Sequence, residues 1–121
     1  MKIKNSEVVS FINNTNEIVK KKLPVKLGYA IGKNLKNMSS IAELYNTEYK
    51  KIKAEYEKSE DGNKPIIEDM AGFIKEVNEL LSIDNEFDMA MVSMAVLDDL
   101  DNPRYDSLTP EELSVLDIMI E

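Results

Sequence analysis

The sequence predicts a mainly α fold: a long central helix with two antiparallel helices packed along it, a small two-stranded β element and a C-terminal helix. Three observations carry this. Ile31, Leu35, Met38, Ala42, Tyr45, Tyr49, Ile52 and Tyr56 recur at alternating spacings of four and three, a heptad seam. Amphipathic segments flank that seam on both sides, joined to it by Leu23-Pro24 and by Ser59-Glu60-Asp61-Gly62-Asn63. Thr109-Pro110-Glu111-Glu112 carries a capping box with Pro at the first helical position. Residues 1–121 read as one helical domain, without solenoid-period repeats or a low-complexity linker.

Each element follows from local pattern. Met1 to Lys4 alternates apolar residues with Lys, the period of a strand. Asn5 is the expected N-cap of the first helix, whose apolar positions are Val8, Phe11, Ile12, Thr15, Ile18 and Val19. Lys20, Lys21 and Lys22 complement its carbonyl end. The central helix runs from about 24 to 58, roughly 50 Å at 1.5 Å per residue. Lys64 to Ile67 is expected to be extended around Pro65. Met70, Phe73, Ile74, Val77, Leu80 and Leu81 mark the third helix. Phe87, Met89 and Met91 alternate with Asp88 and Ala90, so 86–93 is the second strand, with 1–4 as its expected partner. Asp98 to Ser107 is read as a loop. The last helix presents Leu113, Val115, Leu116, Ile118, Met119 and Ile120 to the core and leaves Asp117 and Glu121 to water.

The chain carries 15 basic and 23 acidic residues, a net charge of −8. That total conceals a division. Residues 1–60 hold 12 Lys against 7 acidic residues, and residues 61–121 hold 3 basic against 16 acidic residues. The halves are therefore +5 and −13. Such asymmetry points either to an internal electrostatic clasp or to a face built for a basic partner.

Chemistry is narrowed by what is missing. With no His and no Cys, imidazole bases, thiolate nucleophiles and zinc-finger spacings are excluded. Ser39-Ser40 has no nucleophile signature, and the four Gly form no phosphate loop. Asp84, Glu86 and Asp88 start with calcium-loop spacing, but Met89 and Ala95 stand where Gly and Glu are required. No enzymatic activity, cofactor or metal is expected. The longest mainly apolar run, Met89 to Leu97, is far short of the roughly 20 residues that span a bilayer, and no signal peptide is read at the N-terminus. A cytoplasmic protein without a membrane partner is the expectation.

Lys20, Lys21, Lys22, Lys26, Lys33 and Lys36 form a basic stretch, read as helix-end charge and solvation rather than direct nucleic-acid binding. Gly28 and Gly32 are read as a close approach to another backbone, the first helix, ahead of a partner-docking face. Tyr45, Tyr49 and Tyr56 in the seam mean either partial exposure within the monomer or an interface shared with another chain. Asp98, Asp99 and Asp101 head an acidic region that could occupy a groove built for phosphates. These six residues, Tyr45, Tyr49, Tyr56, Asp98, Asp99 and Asp101, are the candidate partner-binding set.

Met1-Lys2-Ile3-Lys4-Asn5, Lys22-Leu23-Pro24-Val25-Lys26-Leu27 with Tyr29-Ala30-Ile31-Gly32-Lys33-Asn34, and Leu108-Thr109-Pro110-Glu111-Glu112 ahead of Ile118-Met119-Ile120-Glu121 resemble a group of small acidic proteins from phages and prophages of low-GC Gram-positive bacteria. The resemblance spans nearly the whole chain. It brings no established activity and no functional residues. It implies context: an accessory protein or minor assembly factor in the infected host cell. Two readings follow. The first is a non-enzymatic module acting by protein–protein interaction, with a homodimer through the Tyr seam among its forms. The second is an acidic inhibitor of a host nuclease or defence complex, of the anti-CRISPR type, acting by nucleic-acid mimicry or steric blocking. The partner under either reading is a protein, with a host or phage nucleic-acid-binding protein as one candidate.

Overall fold

The computed structural model describes residues 1–58 and 66–121. In chain order it contains β1 (Lys2–Lys4), α1 (Asn5–Thr15), α2 (Val25–Tyr56), β2 (Glu57–Lys58), β3 (Ile66–Ile67), α3 (Met70–Leu81), β4 (Asp84–Glu86), α4 (Met94–Asp98) and α5 (Pro110–Leu116). Single 3-10 turns follow α1, α4 and α5, at Ile18–Lys20, Asp99–Asp101 and Asp117–Met119. The mainly helical architecture around a long central helix is as the sequence predicts.

α1 packs along the N-terminal half of α2, and α3 returns along its C-terminal half. The two are served by different cores. Ile3, Val8, Phe11, Leu27, Ile31, Met38, Phe87, Leu116 and Met119 belong to one buried cluster, to which α2 contributes buried residues only as far as Met38. Beyond Ala42, α2 is covered by α3 through half-buried Tyr45, Tyr49, Ile52 and Tyr56. The heptad seam thus changes partners along its length: core first, then a two-helix hairpin.

The first helix is shorter than its apolar spacing suggests. It ends at Thr15, whose hydroxyl donates to Phe11 O at 2.7 Å, and the run Asn13-Asn14-Thr15-Asn16 is rich in weak helix formers. Ile18 is still fully buried, but Val19 faces outward. The cap also moves. Lys4 is the N-cap, its N–H donating to Glu7 Oε1 at 3.1 Å. Asn5 is instead a buried first-turn residue that donates to Leu80 O at 2.8 Å and accepts from Asn85 Nδ2 at 2.9 Å. It ties the start of α1 to the end of α3.

β1 finds its partner near the expected place, but the strand is shorter and earlier in the chain. β4 covers 84–86 rather than 86–93, with Lys2 opposite Glu86, Ile3 opposite Asn85 and Lys4 opposite Asp84 in an antiparallel pair. After Phe87 the chain leaves the sheet. The buried Asn34 side chain holds Ala90 from both sides, donating to Ala90 O at 3.0 Å and accepting from Ala90 N at 2.7 Å. Val92 then forms a parallel bridge with Ile120: Val92 N donates to Met119 O, and Glu121 N to Val92 O, each at 2.9 Å. A side-chain amide and the C-terminal segment supply the pairing that alternation alone assigns to a strand.

Residues read as a loop begin instead at the end of α4, a helical turn of good helix formers (Met, Ala, Leu), followed by the 3-10 turn at Asp99–Asp101. The expected capping box is present: Glu112 N donates to Thr109 Oγ1 at 3.2 Å, and Thr109 N to Glu112 Oε1 at 3.0 Å. Of the expected C-terminal core face, Leu116 and Met119 are fully buried and the others half-buried. Ile66–Ile67 is extended and pairs with Glu57–Lys58; the expected turn at 59–63 and Lys64-Pro65 lie outside the described residues.

The glycine expectation is overturned. A Cβ at Gly28 or Gly32 would meet no atom within 4 Å, so neither residue serves a close approach. The crowded glycine is Gly72, where a Cβ would lie 2.5 Å from Asp69 Oδ2 and 3.1 Å from Tyr56 Cε1. It lets the first turn of α3, capped by Asp69, press against α2.

Candidate protein-interaction surface

The structure places the two groups of expected partner-binding residues far apart. Asp99 lies beside Pro24, Val25 and Lys26 at the start of α2. Tyr45, Tyr49 and Tyr56 lie 19 to 30 residues beyond Lys26, roughly 30–45 Å along the same helix. They form no joint site.

The three Tyr are engaged within the chain. Tyr45 and Tyr49 stack with centroids 6.1 Å apart, and Phe73 of α3 meets Tyr49 and Tyr56 edge-on at 6.1 and 6.0 Å. Burial, and then the neighbouring Tyr49, raise the pKa of Tyr45. Hydrogen bonding with Glu76 pushes that of Tyr56 up to about 12, reinforced by burial and by the charges of Glu76, Asp69 and Glu55. Glu76 Oε2 is buried without a hydrogen-bond partner. Asp98, Asp99 and Asp101 are all exposed, and among the described residues none makes an ion pair.

The charge division is bridged at one corner. Lys21 Nζ contacts Glu112 Oε1 at 2.7 Å and donates to Ser107 O at 3.0 Å. Lys22 N donates to Asp106 Oδ2 at 2.6 Å, while Asp106 N donates to Lys22 O at 2.9 Å. The other ion pairs between described residues, Lys20–Glu17, Lys51–Glu48 and Lys53–Glu57, are local helix-turn pairs. Lys26, Lys33 and Lys36 join none of them.

Between α2 and the segment 90–96 runs an open groove of about 520 Å³, lined by Lys26, Tyr29, Lys33, Met91 and Val96 among others. Lys26, Ser93 and Val96 also border an adjoining groove of about 430 Å³, whose lining includes Asp99 and Tyr105. Together they follow α2 from Pro24 to Lys33, about 14 Å. Large apolar side chains line them in the open: Val25 is 79% exposed, Tyr29 73% and Met91 41%. Asn34, by holding Ala90, fixes one wall. This surface was not singled out from sequence, although one signal was present: Val25 and Tyr29 lie four apart, off the heptad seam.

A cleft of about 380 Å³ between α1 and α5 is lined by Ser6, Glu7, Ser10 and Ser114 around Phe11 and Ile118. Glu7 is its carboxylate, and that group already caps α1. Among the described residues no group of three or more acidic side chains is placed to hold a metal ion. No helix among them is long and apolar enough to cross a membrane.

Comparison with known proteins gives no further guide. No family model, curated protein or solved structure matches this chain. The geometry of its surface is therefore the basis for any functional reading.

Proposed function

We propose that this protein is a non-enzymatic protein-interaction module whose docking surface is the groove between α2 and residues 90–96. One observation carries the reading: Val25, Tyr29 and Met91, which line the two adjoining grooves, are exposed. Exposing large apolar side chains together is unfavourable in water unless a partner covers them. The groove has no facing carboxylate pair and no activated nucleophile, so its chemistry suits binding rather than turnover. The resemblance of residues 1–5, 22–27, 29–34, 108–112 and 118–121 to phage and prophage proteins supports an accessory role in the host cytoplasm.

A second reading rests on Asp98, Asp99 and Asp101, exposed on one short segment. They would let the chain block a basic, nucleic-acid-binding protein. Affinity capture from host lysate separates the two. Under the first reading Tyr29→Glu abolishes capture of a partner, and added salt changes it little. Under the second, the triple change of Asp98, Asp99 and Asp101 to Asn abolishes capture, and so does moderate salt. Capture that survives both variants contradicts both readings.

A further inference from the structure

Lys26 and Lys33 are the charged side chains in the lining of the groove between α2 and residues 90–96, and among the described residues no carboxylate lines it. Seven residues apart, they stand on one face of α2, about 10 Å from each other along its axis. Tyr29 lies between them in sequence and is largely exposed. Ala30 and Val92 contribute buried apolar surface to the same lining, and Met91 and Val96 add to it. Both Lys are exposed, and among the described residues neither makes an ion pair. Asp99 shares the lining of the adjoining groove with Lys26 but forms no ion pair with it. The groove thus combines exposed apolar area with two uncompensated positive charges at a fixed separation.

That combination selects the occupant. A single-stranded nucleic acid could stack a base on Tyr29, but it brings a negative charge with every nucleotide. Phosphates beyond the two Lys would meet Asp99 in the adjoining groove and the net charge of −8 on the chain. A peptide can place carboxylates against the two Lys alone and keep apolar side chains for the rest of the lining. We propose that the groove binds an acidic and apolar segment of a partner protein, with two carboxylates set against Lys26 and Lys33 and an apolar side chain between them on Tyr29 and Met91. Charge complementarity then fixes the position of the segment, and burial of apolar surface supplies most of the affinity. The inference rests on the groove being an interaction surface and adds the chemistry of its occupant.

Selection on the full chain from a library of random peptides of about twelve residues tests it, a length that spans the two Lys whether extended or helical. The enriched peptides carry two or more Asp or Glu around an apolar residue. A labelled synthetic copy of one is then titrated by fluorescence anisotropy. Lys26→Glu and Lys33→Glu each weaken its binding about tenfold, as expected for a favourable charge contact turned repulsive. Lys50→Glu, at an exposed position further along α2, changes the net charge equally and leaves the affinity within about twofold. Moderate salt weakens binding only about threefold, because the apolar lining supplies the rest. No enrichment, enriched peptides that are neutral or basic, indifference to both Lys26→Glu and Lys33→Glu, an equal loss in Lys50→Glu, or tighter binding of a labelled oligothymidylate through the same two Lys overturns the proposal. Tyr29→Glu reads the surface separately. If it abolishes binding of enriched peptides that are not acidic, or abolishes partner capture when no peptide is enriched, the surface is right and its occupant is of another chemistry. If Tyr29→Glu leaves both intact, the surface itself is wrong.

Discussion

Lys21 Nζ and Glu112 Oε1 lie 2.7 Å apart and join residues separated by 91 positions. The same Glu112 oxygen accepts from Thr109 N, so one carboxylate both closes the capping box of α5 and fastens α5 to the chain leading into α2. Both side chains are mostly shielded, at 28% and 17% exposure. Among the described residues, the Lys21–Glu112 ion pair joins the basic and acidic halves at this corner, where Lys22 N donating to Asp106 Oδ2 and Asp106 N donating to Lys22 O reinforce it.

Glu112→Gln tests the charge apart from the cap, because Gln can serve a capping box. The hydrogen bond from Lys21 holds the Glu112 carboxyl below its ordinary pKa of 4.5. A lowered folded-state pKa stabilises the fold above the unfolded value, and that contribution is lost as pH falls through the lowered one. Glu112→Gln should therefore lower the thermal midpoint at neutral pH more than Glu111→Gln does. The gap to the wild type should close as the solution is acidified below pH 4.5.

Asn34 is fully buried and gives both its hydrogen-bonding functions to Ala90. Asn34→Leu would leave the half-buried Ala90 N–H and carbonyl without their partner, a cost of about 1 kcal/mol, at the low end for an unpaired polar group. Urea denaturation should read that loss. Hydrogen exchange should show the Ala90 amide losing protection ahead of the Val92 amide, which Met119 O still receives.

Gly28 and Gly32 occupy helical positions with open space around them, so Ala fits at either. Each substitution should stabilise the protein by up to about 1 kcal/mol by raising helix propensity. Gly72→Ala should do the opposite, since its Cβ would meet Asp69 and Tyr56. Equal effects at all three positions in chemical denaturation would contradict this account of the glycines.

Tyr56 should be the last tyrosine to ionise as pH rises, because Glu76 and burial raise its pKa to about 12. The raised folded-state value contributes stability that is full below pH 10, the ordinary tyrosine value, and is lost as pH climbs towards 12. Ultraviolet titration of the Tyr56→Phe variant should lack the highest-pH step.

Much of this architecture is legible in the sequence because it rests on local signals. The heptad seam, the opening of the long helix at Pro24 and the Thr109 capping box act within a few residues, and all are present in the structure. The misreadings share another origin: side chains meeting backbone far along the chain. Asn34 replaces strand pairing at Ala90 across 56 residues, and Asn5 bonds Leu80 across 75. Neither contact has a periodicity to betray it. Gly28 and Gly32 illustrate the converse: small residues at helical spacing fit tight packing, yet nothing packs on them. Among the six candidate partner-binding residues, exposure at Asp98, Asp99 and Asp101 is simple to expect of acidic side chains. That Phe73 would meet Tyr49 and Tyr56 depends on the pairing of two helices. The groove at Tyr29 depends on where residues 90–96 settle, which Asn34 and the C-terminal segment decide together.

The central claim is that the binding surface lies at the Tyr29 groove and not on the α2/α3 hairpin. Affinity capture from host lysate with the Tyr29→Glu and Leu44→Glu variants tests it most directly. The expected result is that Tyr29→Glu abolishes capture and Leu44→Glu, on the exposed face of the hairpin, leaves it intact. Capture lost in Leu44→Glu and kept in Tyr29→Glu would contradict it.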